Sequence, residues 1–405
     1  MASALSTIQE EERPIWHGEG VTIADVLAAL ERIRFQFARE EAGDAEHLHP
    51  RNCVMTLIGI APNDEHEKLA KRTTQTIGLQ HPAQAIVIRE EAPIRGRYLD
   101  AWITTDVRRP EVTCAVECEL ITLHVHGKAA DHLGALLDPL LVSGVPTYLW
   151  WLGTPPFGRR ELFDALRVGD GLVVDSAQFE EPYHAFRRMA GMHKMAHHRL
   201  GVADLQWARL RPWRECVAQF FTPYDRRAFL GGISELGIDY AGEGRGNRIA
   251  AALLTGWIAS ALGWKLRRAT AGTGGVVAAM YDAGGRSVEV DFRSVPQEDR
   301  VPGELGAVRL AGTGHGMTFR LSVMHNPPRT RSARAGEYEP ERRGSDTARV
   351  LLMVIEIGDS EPLRHVQQLE PENETALLIE LLSTGTHDEV FNRSLGAASE
   401  LVDLL

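Results

Sequence analysis

The chain has 405 residues, 44% of them hydrophobic and 24% charged, with a formal net charge of −11. That length supports two or three domains, since single cores rarely grow beyond about 250–300 residues, and the composition excludes disordered and fibrous classes. The acidic balance argues against nucleic acid as the main partner. No apolar run reaches the roughly 18 residues of a membrane helix, and the acidic N-terminus lacks a hydrophobic region, so the chain reads as cytoplasmic with no membrane partner.

Residues 1–50 read as a helical extension, in which Ile23, Val26, Leu27, Leu30 and Ile33 recur at helical spacing after Thr22, a candidate N-cap. From 51 to 200, apolar runs alternate with helix-like stretches. Strands are expected at 53–62, 84–88, 101–107, 112–127, 146–153 and 171–179, with helices at 66–80, 131–143 and 160–166. This β-α-β rhythm predicts an α/β domain with a mostly parallel sheet. The basic, histidine-rich stretch 181–199 predicts a helix connecting the two halves.

Residues 201–405 read as an α+β domain with an antiparallel sheet. The stretch 203–221 contains a helix with Pro212 near its first turn, where a missing N–H costs nothing. A strand at 233–240 and a mostly buried helix at 248–266 follow. Period-two segments then recur at 276–281, 287–292, 307–312, 317–323 and 350–357, and a terminal helix covers about 388–404. The polar stretch 325–348 is too long for an ordinary connection and reads as a mobile loop.

Candidate sites are each incomplete. His124 and His126 stand two apart on one strand, so both imidazoles face one side and could share a zinc, but no third ligand stands at a diagnostic spacing. A structural, hydrogen-bonded role is the competing reading. His193 and His197 have the i, i+4 spacing of a helical metal site, yet Lys194 replaces the glutamate of a metalloprotease. The surrounding basic stretch 187–199, with Arg187 and Arg188, is either a contact for a phosphorylated or acidic partner or a solvated helix face.

Gly242, Gly244 and Gly246 mimic a dinucleotide loop, without its third glycine position or the acidic residue about 20 positions on. Gly272, Gly274, Gly275, Gly312, Gly314 and Gly316 are explained by turns. Ser176 after Asp175 lacks the glycine-flanked elbow of a hydrolase nucleophile, and capping suffices for it. Glu117 and Glu119 share a strand face as a glycosidase pair would, or as solvated carboxylates do.

The four cysteines, Cys53, Cys114, Cys118 and Cys216, form no zinc-like CxxC pair. On one strand, Cys114 and Cys118 lie roughly 13 Å apart, too far for a disulfide.

Aromatic, arginine-bearing blocks are the stronger signal. Trp257 and Trp264 are one heptad apart on a hydrophobic helix and read as core. Trp207 and Trp213 alternate with Arg209, Arg211 and Arg214 around Pro212. Trp and Arg dominate interface hot spots, and an Arg–Trp stack inside the monomer is the alternative. Trp150 and Trp151 stand either beside that surface or in the core behind it.

The blocks HVHGKAADHL (124–133), PLLVSGVPTYLWWLGTPPF (139–157), VVDSAQF (173–179), DLQWARLRPWREC (204–216) and LLTGWIASALGW (253–264) resemble those of the OpcA family. These are the glucose-6-phosphate dehydrogenase assembly proteins of actinobacteria and cyanobacteria, and the resemblance spans roughly residues 50–270. It implies a non-catalytic assembly factor and allosteric activator without cofactor or metal, whose partner is the glucose-6-phosphate dehydrogenase oligomer of the oxidative pentose phosphate pathway. Trp207, Arg209, Trp213, Arg214, Trp150 and Trp151 are then the expected partner interface. In photosynthetic relatives the activation looks linked to C-terminal cysteines, whereas here Cys216 is the last cysteine. The alternatives are a sugar-phosphate-binding protein or enzyme using His124, His126, Arg187 and Arg188, and a dinucleotide-dependent enzyme using 242–247.

Overall fold

The computed structural model describes residues 14–41, 53–78, 81–108, 116–195, 200–242, 247–273, 276–296, 302–325, 349–369 and 373–404. They form two compact units. One comprises 1–180, 192–204 and 378–387, and the other 181–191, 205–377 and 388–405.

The first unit contains β1 (Trp16–Gly18), α1 (Ile23–Glu41), β2 (Met55–Ala61), α2 (Asp64–Gly78), β3 (Ala83–Glu91), β4 (Leu99–Arg108) and β5 (Val116–His126). Then come α3 (Leu133–Leu137), β6 (Thr147–Trp151), α4 (Arg160–Ala165), β7 (Gly171–Val174) and, after the helix α5 (Pro182–Met195), β8 (Gly201–Asp204). The strands form one sheet in the order β1-β4-β5-β3-β2-β6-β7-β8. From β5 to β8 every pairing is parallel, while β4 and β1 join antiparallel at one edge.

Every residue of β2 is buried, as an apolar strand covered on both faces must be. Gly59 sits where helix and strand approach closely, and a Cβ there would come 3.1 Å from the Ala70 Cβ of α2. Thr22 opens α1 in a reciprocal cap: its N–H and hydroxyl donate to Asp25 at 2.8 and 2.7 Å, and the Asp25 N–H donates back to the Thr22 hydroxyl.

The second unit continues with α6 (Leu205–Arg209), α7 (Arg211–Phe221), β9 (Ile233–Ala241), α8 (Ile249–Leu262), β10 (Lys265–Ala271), β11 (Val277–Asp282), β12 (Ser287–Val295), β13 (Leu305–Gly314), β14 (Met317–His325), β15 (Val350–Ile357) and β16 (Leu363–Gln368). The chain ends with α9 (Glu374–Thr384) and α10 (Glu389–Val402). Its sheet runs β10-β11-β12-β9-β13-β14-β15-β16 and is antiparallel except for the β12–β9 pair. The fold is therefore α/β with a mostly parallel sheet, followed by α+β with a mostly antiparallel one.

Helix α8 is apolar on almost all sides and buried from Ile249 to Gly256, as such a helix must be. It packs closely on α10, where a Cβ on Gly256 would run into the Ser394 carbonyl and come 2.7 Å from the Ala398 amide nitrogen.

Several expected boundaries move. The stretch 131–143 holds only a short α-helix between two 3₁₀ turns. Within 203–221 the chain passes through strand β8 and the short α6 before the expected helix, which is α7 with Pro212 in its first turn. The expected helix 248–266 stops at Leu262, with Gly263 left-handed at φ 69°, and the chain turns at once into β10. The short β1 and the polar β16, both edge strands, have no apolar run to announce them. Cys114, residues 196–199 with His197, residues 243–246, Gly274, Gly275 and 326–348 lie outside the described residues.

Candidate functional site

In the first sheet the chain winds outward in both directions from β2, through β3 and β5 on one side and β6, β7 and β8 on the other. Parallel sheets of this order bind dinucleotides at the carboxyl ends of the strands where the winding reverses, here between β2 and β6. The pyrophosphate of such a cofactor needs a glycine-rich turn and free N–H groups at the following helix N-terminus.

The turn after β2 is Ala61-Pro62-Asn63-Asp64, with no glycine and with a proline that has no N–H to offer. The Asn63 side chain already accepts from the His66 N–H at 3.0 Å. The first turn of α2 carries Asp64, Glu65 and Glu67, which disfavour a second anion. These residues do not fit a dinucleotide pyrophosphate. Gly242, the described part of the sequence-level glycine loop, lies at the end of β9 in the second unit.

Beside the crevice, side chains from α2, β3 and β5 close on one another. Glu67 is 5% exposed and accepts from Lys71 at 2.5 Å, from Arg89 at 2.9 Å and from the Nε2 of His124 at 3.0 Å. Burial pushes Glu67 upward, but hydrogen bonds from His124 and Lys71 outweigh it and hold its pKa at about 2. The His124 ring lies 4.5 Å from the Trp102 ring.

His126 is 5% exposed and meets two acceptors, the Ala92 carbonyl at Nδ1 (3.1 Å) and Asp100 at Nε2 (2.8 Å). Each nitrogen of the ring thus has an oxygen within hydrogen-bond distance. Burial raises the Asp100 pKa, yet hydrogen bonds from Arg97, His126 and the Gly20 N–H bring it down to about 2. The two histidines thus hold separate carboxylates. Among the described residues, no group of three His, Cys, Asp or Glu side chains converges as a metal site.

Arg187 and Arg188 lie on the exposed side of α5 in the second unit, with Arg187 3.7 Å from Asp403. His124 and His126 belong to the first unit, so neither unit by itself gathers the four into one site. Ser176 is fully buried, its hydroxyl donating to Asp204 at 2.6 Å, and Asp175 caps the turn that follows it. Glu119 holds Arg34 through two bonds of 2.7 and 2.8 Å.

The tryptophan–arginine segment turns inward. Trp207 is 3% exposed; its indole N–H donates to Asp388 at 3.0 Å, and its ring lies 5.6 Å from Phe391. The Arg214 guanidinium stacks 3.6 Å above that ring and donates to the Trp207 carbonyl. Asp388 also caps α10 through the Val390 and Phe391 N–H groups, so Trp207 braces the start of that helix.

Trp213 is 6% exposed on the buried side of α7, with Cys216, Val217 and Phe220. Arg209 is half-buried, and Arg211 pairs with Glu215 at 2.8 Å on the surface. Trp150 and Trp151 are interior residues of β6. The intramolecular Arg–Trp stack is thus the arrangement adopted, and Trp207 and Trp213 are already packed against their own chain. Cys216 is fully buried with its thiol pushed up to about 11 by desolvation, an unreactive state.

The surface that patterning did not single out is the second face of the second sheet. Tyr281, Val290, Ile238, Leu310, Leu321 and Met353 all lie on one face and are buried. The opposite face presents Met280, Arg309, Ser322, Met324, Leu352 and Val354, half-buried, with Arg293 and Val366 exposed. Across it, Asp239 pairs with both Arg309 and Arg293, Arg293 with Asp291, and Arg320 with Glu356. The alternation of β11 to β15 carried that signal, with arginines and carboxylates where a two-sided core would place leucines.

Two domain families, both described as belonging to a "Glucose-6-phosphate dehydrogenase subunit", match the chain: the C-terminal domain at residues 200–395 and the N-terminal domain at residues 74–191. A protein of Nostoc punctiforme named "Putative OxPP cycle protein OpcA" is 30% identical over 325 residues, covering 77% of this chain and 64% of its own length. A Synechocystis protein of the same name is 27% identical over 290 residues, covering 71% and 56%. The chain thus spans about three fifths of the length of these curated relatives. Among solved structures, a Thermus thermophilus WlbA dehydrogenase in complex with NAD and alpha-ketoglutarate aligns at 15% identity and a TM-score of 0.40, over 87% of this chain and 96% of the other.

Proposed function

Because the chain belongs to the OpcA family of glucose-6-phosphate dehydrogenase assembly proteins, we propose that it is a non-catalytic assembly factor and allosteric activator of glucose-6-phosphate dehydrogenase. It would act in the cytoplasm, in the oxidative pentose phosphate pathway. One observation carries the non-catalytic half. The crevice where a sheet of this order would hold its cofactor is lined by Asn63 capping its own helix and by Asp64, Glu65 and Glu67. The same carboxylates weigh against the sugar-phosphate reading, because His124 and His126 already serve Glu67 and Asp100.

An activator must bind the active assembly more tightly than the inactive one, and a tenfold shift in that population needs about 1.4 kcal/mol of difference. A few surface contacts supply that much, without the buried Trp207 and Trp213. The experiment is to mix the purified chain with the cognate dehydrogenase and follow sedimentation together with the rate at limiting glucose 6-phosphate. A faster-sedimenting species and a changed KM or kcat are expected. No complex and no kinetic change would sink the reading.

A further inference from the structure

We propose that the accessible face of the second sheet is a homodimer interface, occupied by a second copy of this chain. Three observations on that face point to the same occupant.

The first is size. Eight strands at a spacing of about 4.8 Å, with roughly seven residues of about 3.4 Å along each, cover on the order of 800 Å². A standard stable interface buries about that area on each partner.

Charge is the second. The chain carries −11 overall, so two copies repel one another over most of their surface. This face carries both signs: Arg309 and Arg293 reach Asp239 across strands and Arg320 reaches Glu356, beside Asp291 next to Arg293 and the like-charged register pair Glu235 and Glu289. Gly237, at the centre of the ionic group, has Asp291, Arg293 and Arg309 side-chain atoms within 3.8 Å of where a Cβ would stand. A two-fold axis near β9 and β13 sets arginines of one copy opposite carboxylates of the other, as an isologous contact requires.

Shape is the third. Two copies of one twisted sheet carry the same twist and stack face to face about 10 Å apart, with strands crossing at about 30°. The same axis brings the apolar strip of Leu352, Val354 and Val366 over Met280 and Ala278 of the other copy, since these strands lie on opposite sides of β9 and β13.

The test is sedimentation of the whole chain alone at about 10 µM, beside Val354→Glu and Met280→Glu. Both positions are half-exposed, so the variants should fold, and thermal melts within a few degrees of the unchanged chain verify that they do. The unchanged chain is expected to sediment as a dimer. Each variant should dissociate with a Kd raised on the order of 100-fold, because the symmetry doubles every substitution. A monomeric unchanged chain, or folded variants as dimeric as it is, overturns the proposal. So does a chain that is monomeric alone but whose variants lose the dehydrogenase, since the face would then belong to that partner.

Discussion

Trp207→Phe separates a structural tryptophan from a partner anchor. The substitution keeps an aromatic ring beneath Arg214 and beside Phe391 but removes the indole N–H that donates to Asp388. Asp388 retains its bonds from the Val390 and Phe391 N–H groups, so the loss should be that of one buried hydrogen bond to a charged acceptor, about 1.5–3 kcal/mol. Asp388→Ala loses the same bond plus the cap of α10, worth about 1 kcal/mol more, and leaves the Trp207 N–H unpaired.

At about 2–4 °C per kcal/mol for a unit of this size, Trp207→Phe should lower the melting temperature by roughly 3–12 °C, with Asp388→Ala lower still. The double variant should fall short of the sum by about 1 kcal/mol or more, because both substitutions break one contact. Differential scanning calorimetry measures the melts, and titration into the dehydrogenase well below them measures affinity. The structural reading expects unchanged affinity for folded Trp207→Phe. A variant that melts like the parent but binds the dehydrogenase tenfold more weakly would refute it.

Acid should weaken the first unit. Glu67 and Asp100, ordinarily near 4.5 and 3.8, are both held at about 2, so their stabilisation is complete above those ordinary values and is lost as pH falls toward 2. Melts between pH 6 and pH 2.5 should show this, and Glu67→Gln should be less stable at pH 6 with a flatter acid slope; an unchanged slope contradicts the assignment. Gly256→Ala should destabilise, although alanine gains about 1 kcal/mol of helix propensity over glycine. Its Cβ would run into backbone atoms of Ser394 and Ala398 in α10, and overpacking costs about 1–3 kcal/mol or more. A urea midpoint moved upward would show that the helices part freely. NAD and NADP should leave the melting curve of the chain alone unmoved, whereas a specific ligand at 100 times its Kd would stabilise by about 2.7 kcal/mol.

Which parts of this protein were legible in sequence follows the physics of burial. The all-buried β2 and its neighbours β3 and β6 read as apolar runs, and the period of 3.6 in α1 and of 2 in β11 to β15 marked each with one committed face. Those patterns are local consequences of which side chains leave water, so they fix strand and helix identity, the parallel first half and the mostly antiparallel second. The blocks around Trp150 and Trp207 likewise marked the family.

Partners in space were decided only by the tertiary structure. Whether Trp207 faced a partner or its own chain depended on Asp388 and Phe391, 181 and 184 positions away, and no local period encodes a contact of that separation. The spacing of His124 and His126 allowed either a shared ligand or separate hydrogen bonds, and only the fold brought Glu67 from α2 to the one and Asp100 from β4 to the other. The strand order likewise put the reversal of the winding beside Ala61–Asp64 in the first unit, whereas Gly242 belongs to the second. Sequence determines what each segment must bury, because burial is a property of the residues themselves. Only the assembled sheets decide which polar groups meet and which face is left to water, because those depend on what the rest of the chain brings alongside.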